Sequence, residues 1–142
     1  MAPVILVAAC VLGFVSVAFG AYAEHALREP VGEEHFRFLM TAVRYNQVYA
    51  VVTLALALTA HAGGPLSRIP AFNWSAGLFV LGTVLFSGSI YVSVTFGLEG
   101  LLILTPVGGI TLMVAWALLL VTALLSVATA HQSEASATES EG

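Results

Sequence analysis

Charge is what this chain has least of. Acidic and basic residues make up 8% of its 142 residues, against about 25% in soluble globular domains. With 59% hydrophobic residues and a mean hydropathy of +0.99, the chain cannot cover a soluble core with polar surface, and an integral membrane protein is the class that remains. Basic residues are the scarcer sign: four stand against eight acidic ones, for a formal net charge of -4. No basic arm or patch exists to track phosphates, which excludes nucleic acid as a partner.

Cysteine is nearly absent too. Cys10 stands alone, which excludes an internal disulfide and a multi-cysteine metal site. Within an apolar segment it reads as a small buried hydrophobe. The four histidines, His25, His35, His61 and His131, are scattered over both ends of the predicted spans and give neither a bis-histidine pair nor a HExxH spacing. The sequence therefore predicts no metal, no cofactor and no catalytic residues.

What the chain does have is four long apolar stretches. Residues 3–23 carry no charge and have the length of a bilayer span, without the basic start of a signal peptide. Ala9, Gly13, Ser16, Gly20 and Ala23 recur at alternating spacings of four and three, which lines one edge with small residues for close helix packing. Residues 24–39 are too charged to span. Pro30 and Gly32 break them, and Val31, Phe36 and Phe38 suit a short interfacial helix. The second span, residues 40–60, opens with Arg44, Tyr45, Asn46, Gln47 and Tyr49 before turning apolar. Breakers such as Gly63, Gly64, Pro65 and Pro70 make a loop before the third span at residues 72–95, and a turn at residues 97–100 precedes the fourth at residues 102–128. Residues 131–142 are small and acidic, and read as a disordered tail. The fold expected is an all-α membrane bundle of four antiparallel transmembrane helices in residues 1–130, in contact with lipid and with other membrane subunits or copies of itself.

Antiparallel spans bring the polar ends together. Tyr22, Glu24, Arg44, Tyr45, Asn46, Tyr49, Ser87, Ser89, Tyr91 and Thr105 fall at one face, which makes them the candidate ligand-binding set. The bland alternative is that each satisfies its own interfacial needs, as Tyr45 and Tyr49 would in an aromatic belt. Arg44 either snorkels or pairs with an acid, and Glu24 is the acid within reach. Close packing is expected of Ala9, Gly13, Ser16, Gly20, Gly88, Pro106, Gly108 and Gly109. Thr105 and Pro106 allow two readings. They form an N-cap and first helical residue, with residues 100–104 as an irregular lead-in and an anion at the free amides, or Pro106 kinks a longer helix.

Three blocks carry a resemblance: residues 18–21 (AFGA), 85–91 (LFSGSIY) and 105–109 (TPVGG), supported by residues 81–84 and 115–118. On them the chain resembles the domain of unknown function 423 family, small bacterial inner-membrane proteins with mitochondrial transmembrane relatives in eukaryotes. The resemblance implies a four-span, multi-pass protein of a bacterial inner membrane and brings no established activity, substrate or cofactor. It also marks two departures: Tyr22 and Tyr49 stand where the family customarily carries histidines, which removes a histidine relay or ligand pair but keeps a hydroxyl at each place.

Three function classes follow. The first is a non-catalytic subunit, scaffold or assembly factor; the second is a binder or transporter of a lipid, quinone or small anion at Tyr22, Arg44, Tyr45, Ser89 and Thr105; the third, a membrane enzyme or haem protein, ranks last. Arg28, Arg37 and Arg44 flank the first connection and only Arg68 the opposite side, so the positive-inside rule turns both termini outward. A C-terminal reporter active only in the periplasm should be active on this chain, and a cytoplasm-only signal would reverse the orientation.

Overall fold

The computed structural model describes residues 2–140, with side chains described over residues 2–129. Helices account for 93% of it. Helix α1 (Ala2–Tyr22) continues into a wide π-turn (Ala23–Leu27). Helix α2 (Gly32–Ala62) follows, then a 3-10 turn (Pro65–Arg68). Helix α3 (Pro70–Thr83), a second π-turn (Val84–Gly88) and α4 (Ser89–Phe96) form one rod. A 3-10 turn (Glu99–Ile103) leads directly into α5 (Leu104–Ser140).

Two glycines end helices by leaving the right-handed region. Gly63 at φ 73° and Gly97 at φ 68° take the left-handed conformation that closes a helix C-terminus, and each donates its amide to a carbonyl of the last turn, Ala60 or Ser93. Between Gly32 and Gly63 nothing breaks the helix, so α2 runs for 31 residues. This corrects the expectation of a separate interfacial helix: Glu33 to Phe38 are the opening turns of α2, where Glu33 and Glu34 complement the helix dipole.

Three rods are long and apolar enough to cross a membrane: Ala2–Leu27, Pro70–Phe96 and Glu99–Thr129. Helix α2 is not among them, because Glu33, Glu34, Arg37, Arg44, Asn46 and Gln47 occupy its first half. Helix α5 extends to Ser140, through the stretch read as a disordered tail. Its Ala135 and Ala137, with Gln132, Glu134 and Glu139, are sound helix formers that no Gly or Pro interrupts.

Helix α1 packs chiefly on α2, α5 on the α3 rod, and α2 on the α3 rod, while among the described residues α1 and α5 share no substantial contact. Two apolar cores result. One joins Ile5, Leu56, Ala57, Phe72, Phe79, Leu112 and Ala115; the other joins Ala23, Leu27, Leu39, Val43, Ile90 and Tyr91. Between them lie buried polar groups: Ser16 on α1, Asn46 and Thr53 on α2, and Thr83 and Ser87 on the α3 rod.

The small-residue edge of α1 faces α2. Ala9, Ser16 and Ala23 are buried, and a Cβ at Gly20 or Gly13 would meet Val43 at 3.2 Å or Ala50 at 3.9 Å. Gly108 approaches more closely, since a Cβ there would collide with the Phe86 amide nitrogen. Gly109 faces the Phe86 ring at 3.8 Å, whereas Gly88 meets only Val84 at 4.0 Å. Pro106 is exposed. It belongs to the first turn of α5, where its missing amide costs no intrahelical bond. Cys10, expected to be buried, is exposed on the outer face of α1.

Gly108→Ala must push the α5 backbone away from Phe86 and is expected to lower stability by about 1–3 kcal/mol. Gly77→Ala, with open space at its Cβ, should be neutral or gain up to about 1 kcal/mol. Thermal unfolding of the detergent-solubilised variants checks the pair, and equal melting temperatures would refute the close contact.

Candidate functional site

In hydrocarbon a hydroxyl must find an acceptor within the protein. Most here use their own helix: Ser16 donates to Gly13 O at 2.7 Å, Ser75 to Phe72 O at 2.8 Å and Thr83 to Phe79 O at 2.6 Å. Among the described residues, three side-chain bonds cross between helices. Ser87, turned out of its π-turn, donates to Ala42 O at 2.9 Å. Asn46 Nδ2 donates to Tyr91 Oη at 3.4 Å, long for a hydrogen bond. Ser89 and Thr105 hydroxyls meet at 2.8 Å.

The structure therefore divides the ten candidate residues into an inner and an outer set. Asn46, Ser87, Ser89 and Tyr91 are buried, and together with Thr105 they bond across helices. Aromatic rings close around them: Phe19 stacks on Tyr91 at 3.9 Å, Tyr45 on Phe86 at 4.7 Å and Tyr49 on Phe79 at 5.6 Å. Phe19, Phe79 and Phe86 escaped the sequence reading because a Phe in a span carries no polar signal. Tyr22 is 45% exposed, and its ring meets Phe19 edge-on at 5.8 Å. The Gly20–Val43 and Gly13–Ala50 contacts level Tyr49 with the middle of α1, about 12 Å along the axis from Tyr22. Tyr22 and Tyr49 are thus not a pair.

Two expectations are corrected here. Thr105 is not an N-cap: helix continues from the 3-10 turn through Leu104, and its hydroxyl serves Ser89. That bond closes the mouth where an anion was expected, and no described cavity joins Ser89, Thr105 and Tyr45. Glu24 does not pair with Arg44. Its carboxylate accepts from Arg28 at 2.8 Å, one turn along, the spacing at which helical ion pairs form most easily.

Of the remaining candidates, Glu24 and Arg44 line a groove. Between α1 and α2 lies an open cavity of about 380 Å³, bordered by Ser16, Gly20, Glu24, His25, Arg44 and Gln47. Spacing carried a signal for it, since residues 16, 20 and 24 share one edge of α1, and 40, 44 and 47 one edge of α2. Among the described residues no group of three or more His, Cys, Asp or Glu is placed to hold a metal ion.

Asn46 Oδ1 has no hydrogen-bond partner among the described residues, although Asn46 is 2% exposed. A buried orphan acceptor costs about 1–3 kcal/mol. The double change Asn46→Leu with Tyr91→Phe, which removes both partners of a long bond, should therefore leave stability within about 1 kcal/mol or raise it. Ser87→Ala, which forfeits a well-formed interhelical bond, should cost about 0.6–1.7 kcal/mol. Melting temperatures in detergent decide, and a large loss in the double variant would show that the amide is bonded.

Comparison with known proteins bears on the whole arrangement. Residues 19–109 match the family described as Protein of unknown function (DUF423). The chain is 36% identical to the UPF0382 inner membrane protein YgdD of Escherichia coli over 120 residues, 84% of this chain and 88% of that one. It is 27% identical to the UPF0382 membrane protein YwdK of Bacillus subtilis, over 85% and 96% of the two chains. It is 34% identical to a UPF0382 membrane protein of Schizosaccharomyces pombe, over 80% and 95%. No solved structure matches. With three apolar rods of spanning length and relatives called inner membrane proteins, the chain belongs to the DUF423 family and is a protein of the inner membrane.

Proposed function

We propose that this chain is a non-catalytic membrane subunit or scaffold, a bundle of four antiparallel spans that packs its outer faces against other membrane helices. The register supports the antiparallel arrangement: Gly13 and Gly20 of α1 meet Ala50 and Val43 of α2, and Gly82 and Gly108 meet Leu112 and Phe86, each pair running in opposite senses. As a fourth span, α2 would cross with its apolar second half, with Arg44 to Gln47 at the boundary.

The observation that carries the role is the open layout. Helices α1 and α5 stand at its two ends, each supported along one side, so that 22% and 17% of their most apolar stretches are buried, against 44% for the α3 rod. The small-residue edge of α1 is already used on α2, so a partner would meet the opposite face, where Val4, Val7 and Phe14 are exposed by 72%, 63% and 75%. Association of apolar helices within lipid rests on fit and not on hydrophobicity, and shallow β-branched ridges supply such a surface.

Native solubilisation in mild detergent, followed by blue native electrophoresis and identification of the components, is expected to find the chain in stoichiometric complex with another protein or further copies of itself. Phe14→Gln should shift it toward the free chain without lowering its melting temperature. A single copy with no stoichiometric protein would refute the subunit role.

A further inference from the structure

Arg44 carries a guanidinium, and at membrane depth such a group needs an anion or water beside it. No hydrogen bond or ion pair reaches it among the described residues, for the carboxylate on the same groove, Glu24, is held by Arg28 at 2.8 Å. Its depth is set by the packing of its neighbour. Val43 meets Gly20, at 3.2 Å from a Cβ built there, which levels Arg44 with the last turn of the uncharged stretch of α1. That is the depth at which an apolar span gives way to headgroups.

The groove has two kinds of wall. Val17, Ala21 and Met40 make one part apolar, while Arg44, Gln47 and His25 bring nitrogen donors to the other. It is open at the side, because Val17 is 68% exposed. A ligand that matches carries a negative charge next to an apolar body and arrives from the bilayer. Glu24 narrows the choice further, since its carboxylate disfavours a dianion more than a monoanion.

We propose that the α1–α2 groove binds an anionic phospholipid through its singly charged phosphodiester, with Arg44 as the counter-ion and Gln47 as a second donor. Arginine suits this role because its planar fork presents two parallel N–H donors to phosphate oxygens. The site is independent of the subunit role, and either can fail without the other.

The full chain purified in detergent is titrated with phosphatidylglycerol, with diacylglycerol of the same tails, and with inorganic phosphate, and bound species are counted by native mass spectrometry. Saturable retention of phosphatidylglycerol is expected, weakened about tenfold or more in Arg44→Gln and unchanged in Arg68→Gln. Val17→Trp, which fills the groove from the exposed side of α1, should weaken retention as well and keeps the test open if Arg44→Gln does not fold. Equal retention in wild type, Arg44→Gln and Val17→Trp, or equal retention of diacylglycerol, overturns the proposal. Millimolar phosphate that binds alone and displaces the lipid assigns the site to a free anion and overturns it too.

Discussion

Helices in hydrocarbon gain nothing by hiding apolar side chains from water, so what holds them together is how closely their backbones can approach. In this protein that approach is greatest where Gly108 meets the Phe86 amide, with no room for a Cβ between them. Much else at that end depends on it. It places α5 near enough to the α3 rod for Thr105 to reach Ser89 at 2.8 Å, and it sits on the π-turn Val84–Gly88, from which Ser87 reaches the Ala42 carbonyl of α2. One contact without a side chain thereby sets the spacing of three helices. π-turns inside α-helices are uncommon, and here the extra residue aims neighbouring side chains at two different partners.

The buried polar groups act as a divider between the two apolar cores. A Ser or Thr that bonds its own helix carbonyl adds nothing to association and is easily accommodated. The crossing bonds of Ser87, Ser89 and Thr105 differ, because sliding one helix along another by a turn would leave hydroxyls unmatched in a medium without water. They fix which residues lie opposite one another, and the apolar cores on either side supply close contact without choosing the register.

Much of this was legible in the sequence, for reasons particular to certain residues. Apolar length located the rods, Gly63 and Gly97 marked their ends, and small residues at spacings of three and four identified the inner edge of α1. The convergence of Asn46, Ser87, Ser89, Tyr91 and Thr105 followed from depth along neighbouring helices. Depth, however, says nothing about rotation around a helix axis, and there the reading failed. It could not tell that Arg44 and Tyr22 turn outward, that Glu24 finds Arg28 one turn away, or that Ser89 and Thr105 close upon each other. Helix α2 also begins earlier than the span expected at residues 40–60, because charge limits which turns suit lipid without ending the helix that carries them.

The connection at Gly63 to Ile69 has a consequence for how the chain is put together. Helix α1 finds most of its contact on α2, and α5 on the α3 rod, so the glycine contacts of each pair lie within one half of the polypeptide. As the chain emerges, the first two helices can dock before the third has been made, and the last two can do the same in their turn. A break in this loop would sever no helix and separate no glycine from the surface it meets. The protein is in this sense two helix pairs joined by a strap, and joining the halves is the one step of assembly that needs both.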